Sequence, residues 1–324
     1  MRAAIYERYG SGEVVTIRDL ERPPVGPDRV LIRVRAASAN RSDWEALTGK
    51  PLYVRLSGVG LMRPKQGRLG SDIAGVVEEI GADVSDFAVG DEILGDILWH
   101  GTGGFAEYVS VPERAPLVLK PDGLSFEQAA AIPQGGGLAL QAITERGEVE
   151  AGQHVLVLGA GGGAGTFAVQ LAKARGAEVT GVDSARKLDL IRSLGADHAL
   201  DYRADDFAKP RKQYDRIVDF AGKRSIFAAK RALRPRGSYA MVGGSMPRLI
   251  QTAIVGGIIS KSSDTTMRVM MAKPNRDDLT SLAQQVAAGE LASVIDRTYP
   301  LSDVAEALDR LGPGDALGKL VITV

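Results

Sequence analysis

Val155-Leu156-Val157-Leu158-Gly159-Ala160-Gly161-Gly162-Gly163-Ala164-Gly165 is the stretch that decides the fold. Four apolar residues run into a glycine cluster, and a helical pattern of Phe167, Ala168, Leu171 and Ala172 follows at once. A strand, turn and helix in that order aim free backbone N–H groups and the positive end of the helix dipole at one point, which suits a diphosphate. The spacing is Gly159-x-x-Gly162-x-x-Gly165, and the strict Gly-x-Gly-x-x-Gly pattern loses its first glycine to Ala160. A tight strand-to-helix turn with no ligand would use the same residues, so the neighbouring sequence has to decide.

It does so through alternation. Glu178-Val179-Thr180-Gly181-Val182-Asp183 reads as a second buried strand ending in an acid, at the separation expected of a ribose-binding carboxylate. Strands at 198–202, 216–220 and 238–243 follow, with helices at 187–194 and 225–233 between them. This order predicts an α/β fold with a doubly wound parallel sheet, a Rossmann dinucleotide-binding domain. The candidate cofactor contacts are Gly159, Gly162, Gly163, Ala164 and Gly165 at the turn, and Asp183 and Ser184 after the second strand. Ala221, Gly243 and Gly244 follow the fourth and fifth strands, where carboxyl ends line the ligand crevice.

A chain of 324 residues exceeds one ordinary core and predicts two domains. Forty basic residues balance forty acidic ones, so net charge gives no reason to expect nucleic acid or a membrane as partner. The longest apolar run, at 249–259, is too short to span a bilayer, and the N-terminus lacks the apolar core of a signal peptide. A cytoplasmic location is the default expectation. There is no cysteine, which removes disulfides and thiolate ligands, and His100, His154 and His198 are scattered along the chain.

Before residue 125 the texture is one of short alternating strands separated by Gly/Pro/Asp turns such as Gly81-Ala82-Asp83 and Val89-Gly90-Asp91. That predicts a compact antiparallel β domain. Ser125 caps a helix that begins the crossing into the nucleotide domain. Helices at 277–288 and 302–311 and a strand at 320–324 end the chain, and this tail is expected to return to the β domain. The expected domains are therefore 1–125 with 266–324, and 126–265.

With these residues in view, the chain resembles the medium-chain dehydrogenase/reductases, and among them the zinc-free, quinone oxidoreductase-like branch related to zeta-crystallin. Ala39-Asn40-Arg41-Ser42-Asp43, Gly70-Ser71-Asp72-Ile73-Ala74-Gly75, Gly104-Phe105-Ala106-Glu107-Tyr108-Val109 and Gly318-Lys319-Leu320-Val321 carry the likeness, which covers essentially the whole length. It implies a GroES-like β domain beside the Rossmann domain, NAD(P)H as cofactor, a small-molecule substrate and a homodimer. Zinc-dependent members hold the metal with a Gly-His-Glu motif and an upstream cysteine. The matching positions here are Gly70-Ser71-Asp72 and Asn40, poor zinc ligands, so no metal is expected.

The resemblance also nominates catalytic residues. Asn40 falls where similar enzymes turn an amide toward nicotinamide and substrate. Tyr53 lies near the position of a proton-donating tyrosine in enoyl reductases, although the spacing differs. Asp43 is read as the N-cap of a helix starting at Trp44. Leu138, after Gly135-Gly136-Gly137, stands where relatives have a threonine beside the nicotinamide. Coenzyme choice is divided: Asp183 favours NAD, whereas Lys187 and Tyr202 align with positions that hold the 2′-phosphate of NADP. The expected activity is hydride transfer from NAD(P)H to a quinone, enone or related carbonyl compound. The rival expectation is a protein that binds NAD(P)H as a redox sensor or structural component without turnover.

Overall fold

A computed structural model of the protein describes residues 1–65, 67–144, 147–209 and 211–324. The chain divides into two units, 1–137 with 274–324, and 138–273. The first passage falls inside the helix Pro133–Thr144, downstream of the expected position near 125. Burial explains the difference. The short helix Phe126–Ala130 packs Ala129 and Ala130 against the strands of the first unit and stays with it.

The 138–273 unit is a six-stranded sheet. Its strand order is His198–Asp201, Glu178–Asp183, His154–Leu158, Tyr214–Asp219, Leu233–Met241 and Thr266–Val269, with every pairing parallel. Central strands buried on both faces read as continuous apolar runs, and Val155, Leu156 and Val157 are all fully buried. The chain reverses its direction of travel across the sheet between His154–Leu158 and Tyr214–Asp219, so the crevice beyond their carboxyl ends is the expected ligand position. A helix over Met246–Ser262 and the edge strand Thr266–Val269 extend the unit beyond the strands the sequence predicts. That helix carries Gly256 and Gly257 and is apolar on several sides, which blurs the helical period.

The other unit holds a seven-stranded sheet. Ile295–Pro300, Lys319–Thr323, Arg29–Ala39, Asp72–Ile80, Glu92–Asp96 and Leu117–Leu119 are neighbours in that order, and Tyr108–Pro112 also pairs with Arg29–Ala39. Arg2–Ile5 and Thr16–Asp19 form a separate antiparallel pair. The tail does return to this unit: Leu320 pairs with Ala39 and Ile322 with Ala37 in antiparallel register. Leu320, Ile322, Ile32 and Ile73 join Phe105 and Leu117 in one core. Among the described residues no helix is long and apolar enough to cross a membrane.

Because Leu320 is fully buried, Leu320→Ala should lower unfolding stability by about 2–4 kcal/mol. Urea denaturation checks this; a loss under about 0.5 kcal/mol would mean the terminal strand is not integral to that core.

Candidate active site

Two groups of candidate residues lie in different units. In the 138–273 unit, Gly159 takes φ +81°, which a residue with a side chain adopts only under strain. Its N–H donates to Val182 O at 2.9 Å, fixing the turn to the second strand. Gly162 is the N-cap of the helix Gly163–Ala174, whose first intrahelical bond is donated by Thr166 N to Gly162 O. The N–H groups of Gly163, Ala164 and Gly165 therefore have no acceptor within the helix. A Cβ on Gly165 would lie 2.1 Å from Gly159 O, so only glycine lets the helix start this close to the strand. This array of donors at the helix start fits a dinucleotide diphosphate.

Asp183 ends the second strand and accepts from Gly161 N at 3.0 Å and from Ser184 N at 2.8 Å. Lys187 is buried, with its ammonium 3.9 Å from the same carboxylate. Tyr202 is more exposed, and its ring lies near the charged ends of Arg203 and Lys223. Beyond the fourth strand, Ala221 N and Gly222 N donate to Asp219 Oδ1, and the Tyr239 hydroxyl donates to Asp219 Oδ2 at 2.9 Å. Asp219 thus fixes the loop that carries Ala221. This role has no local signature in the sequence, because Asp219 is one of three charged residues in the strand Tyr214–Asp219 and nothing nearby marks it as buried. Gly243 and Gly244 both take positive φ, and Gly244 packs against Gly222.

At the other end of this sheet, His154 and His198 both face the Glu178 carboxylate at 3.2 Å. They are distant in sequence, and parallel pairing brings them together at the strands' N-terminal ends. Among the described residues, no group of three or more His, Cys, Asp or Glu side chains could hold a metal ion.

In the 1–137 and 274–324 unit, a buried polar cluster surrounds Asn40. The Lys319 ammonium donates to Asn40 Oδ1 at 2.5 Å and to Asp72 Oδ2 at 3.0 Å. Ser38 Oγ also donates to Asp72 Oδ2, and Gln134 N at the start of its helix donates to Asp72 Oδ1. Asn40 Nδ2 donates to Ser71 Oγ at 3.2 Å and to Ser38 O at 3.4 Å. The register of three strands makes this meeting point, with Ser38 opposite both Asp72 and Val321. The quoted motifs held Asn40, Ser71, Asp72 and Lys319; that the Lys319 side chain turns inward to meet Asp72, 247 positions away, had no sequence signal.

Asp43 needs a correction. The helix spans Arg41–Thr48, with Asn40 as N-cap, so Asp43 lies inside its first turn and is not the cap. Its carboxylate accepts from Asn40 N at 2.8 Å and Gly70 N at 2.9 Å, clamping together the two segments that carry Asn40 and Ser71. Burial pushes this carboxyl up to about 7, against those two backbone hydrogen bonds. Asp96 is pushed up to about 7 as well, by burial first and then by the Asp72 carboxylate. Tyr53 is half-buried in the short helix Leu52–Val54; burial and the neighbouring Glu45 carboxylate raise its phenol pKa. The Tyr53 phenol bonds to the Glu45 carboxylate, whereas the Asn40 amide bonds to Lys319, Ser71 and Ser38. Of the three glycines before Leu138, Gly136 approaches Leu282 closely, whereas a side chain at Gly137 would meet open space.

A carboxyl whose pKa is higher folded than unfolded stabilises the protein at low pH and loses that contribution as pH rises toward the folded value. The window for Asp96 runs from about 3.8 to about 7. Between pH 5 and pH 8, Asp96→Asn should therefore gain thermal stability relative to the unsubstituted chain, by roughly 2–8 °C. Melting curves at both pH values check it; a pH-independent difference would contradict the raised pKa.

Comparison with known proteins accords with both halves of this geometry. Residues 26–122 match the alcohol dehydrogenase GroES-like domain, and residues 194–322 match the family described as zinc-binding dehydrogenase. The chain is 32% identical over 361 residues to the mitochondrial NAD(P)H oxidoreductase RTN4IP1 of Bos taurus, covering 100% of this chain and 89% of the relative. It is 31% identical to the chloroplastic NADPH-dependent alkenal/one oxidoreductase of Arabidopsis thaliana, covering 99% and 79%. The solved quinone oxidoreductase of Coxiella burnetii superposes with a TM-score of 0.87 at 29% identity, covering 100% and 99%.

Two consequences follow. The expectation of a cytoplasmic location is corrected, because relatives matching the whole chain are mitochondrial and chloroplastic proteins; composition and net charge carry no information on compartment. The family description also implies zinc, and the residues here do not fit it. Asn40 offers an amide, Ser71 a hydroxyl, and the nearby Asp72 carboxylate is already paired with an ammonium. The glycine turn on a doubly wound sheet, the GroES-like unit and these whole-length similarities together assign the chain to the medium-chain dehydrogenase/reductase family, in its quinone oxidoreductase-like branch of NAD(P)H-dependent oxidoreductases.

Proposed function

We propose that the chain is a zinc-independent reductase in which NAD(P)H reduces a quinone, an enone or a related carbonyl compound. The observation that carries this reading is the cluster around Asn40: the positions that the resemblance matches to metal ligands hold an amide and a hydroxyl, Asn40 and Ser71, and the Asp72 carboxylate is paired with the buried Lys319 ammonium. When bound, NAD(P)H supplies a hydride. The N–H groups of Gly163, Ala164 and Gly165 receive its diphosphate, with Gly159 and Gly162 shaping the turn and Ala221, Gly243 and Gly244 lining the crevice. Asn40 orients substrate or nicotinamide amide. Tyr53, whose phenol stays protonated at neutral pH, is the candidate proton donor. Substrates that accept hydride without a Lewis acid suit such a site.

For the coenzyme, Asp183 disfavours a 2′-phosphate by charge, while buried Lys187 offsets that charge and Tyr202 lies beside Arg203 and Lys223. We infer that both NADH and NADPH are accepted, with Asp183 and Ser184 at the ribose. The homodimer implied by the resemblance is proposed too. Ile250, Ile254 and Ile258 form an exposed stripe on the helix that packs against the edge strand Thr266–Val269, an apolar surface that a second copy would cover.

The test is oxidation of NADH and NADPH against a panel of quinones, enones and aldehydes. Turnover with at least one acceptor is expected, and Asn40→Ala should lower kcat by about 10²–10³ with cofactor affinity within threefold. Tight cofactor binding with no turnover on any acceptor would contradict the reading and favour the sensor alternative. Separately, Asp183→Gly should shift preference toward NADPH by about tenfold. Fluorescence titration with both cofactors measures this, and an unchanged ratio would remove Asp183 from the adenosine pocket.

A further inference from the structure

The antiparallel register pairs Leu320 with Ala39 and Val321 with Ser38, which puts Lys319 across from Asn40 one step further on. The Lys319 side chain is 3% exposed. An ammonium donates and cannot accept, so its bond to Asn40 Oδ1 permits the amide only one of its two orientations, oxygen toward Lys319 and nitrogen toward Ser71 and Ser38. The bonds around the amide are unequal. The inner one, from Lys319, is 2.5 Å, whereas those donated by Nδ2 to Ser71 Oγ and Ser38 O are 3.2 and 3.4 Å. The Nδ2 N–H groups, held by the longer bonds, are the ones the amide can exchange for another acceptor. A second device supports the same polarity. Ser42 Oγ donates to Gln134 Oε1, which turns Gln134 Nε2 toward Ser71 Oγ at 3.5 Å.

We propose that Lys319 is a positioning residue for the reduction. By holding the oxygen of Asn40 it makes that amide an obligate hydrogen-bond donor, which gives one N–H to the substrate's carbonyl oxygen as negative charge develops there. This rests on the placing of Asn40 at the reacting centre. A donor fixed beforehand stabilises developing charge without reorganising, and loss of one such donor commonly lowers kcat by about 10²–10³. Lys319 acts on the reaction only through Asn40, so the two residues should behave as one unit.

The experiment is a double-mutant cycle with a turned-over acceptor, read as kcat, KM, cofactor Kd and melting temperature. Lys319→Met should lower kcat about 30- to 100-fold with KM and cofactor Kd within threefold, and Lys319→Arg should recover most of the loss. Adding Lys319→Met to Asn40→Ala should cost less than about threefold more. Lys319→Met leaves Asp72 unpaired, so Lys319→Met with Asp72→Asn serves as the variant that keeps the cluster neutral. It should regain melting temperature without regaining kcat. Independent losses that multiply, a kcat of Lys319→Met within threefold of the original, or recovery of kcat in the neutral pair would each overturn the proposal. A chain that binds NAD(P)H but turns over no acceptor would instead overturn the functional reading, and this inference with it.

Discussion

The buried ion pair between Lys319 and Asp72 is the constraint on which the polar cluster around Asn40 depends. Both side chains are almost wholly removed from water, at 3% and 0% exposure. Desolvating two charges costs several kcal/mol, and mutual attraction offsets this only with good geometry and further hydrogen bonds. Those bonds are present: Asp72 also accepts from Ser38 and Gln134, and Lys319 also donates to Asn40. The pair therefore ties the last strand of the chain to the strand before Asn40 and to the helix starting at Pro133. A pair of this kind adds little net stability over a hydrophobic substitute. What it supplies is a single permitted arrangement of the amide and hydroxyl groups around it.

Charge in the cluster extends beyond the pair. Asp43 and Asp96 are buried close by, and both carboxyls are pushed up to about 7. One ammonium faces Asp72 directly, so the remaining acids are most easily accommodated protonated or through backbone N–H groups, as Gly70 and Asn40 provide for Asp43. Proton occupancy of the cluster consequently changes near neutral pH. In the other unit the same physics takes a different form. Asp219 is buried, but Tyr239 and two backbone N–H groups surround it, and it stabilises a loop at the sheet's carboxyl edge.

Much of the architecture is legible in the sequence because it follows from local rules. The run from Val155 to Leu158 into glycine, and the acid at Asp183, specify a strand, a turn and a neighbouring strand without reference to the rest of the chain. The tail's return was also foreseeable, since Leu320–Val324 is apolar and has no hairpin partner nearby. Three features were not legible. Helix Met246–Ser262 lacks a clean period because its glycines and multiple apolar sides blur the pattern. The start of the helix at Arg41 shifted Asp43 from cap to clamp, a matter of three residues that capping statistics alone do not resolve. Lys319 lies in a motif shared with the family, but nothing local marks its side chain as buried. Its burial comes from sheet register over hundreds of residues, and no local window contains that information.

The most direct test of the central claim is NMR detection of lysine side-chain ammonium groups in the ¹⁵N-labelled protein. Exposed ammonium protons exchange with water too quickly to be seen at neutral pH, so a buried, hydrogen-bonded one stands apart. Among the protected ammonium signals, which buried Lys187 and Lys120 can also give, one should be lost in Lys319→Met and displaced in Asn40→Ala. A protected signal insensitive to Asn40→Ala, or no signal assignable to Lys319, would contradict the claim that this ammonium holds the amide.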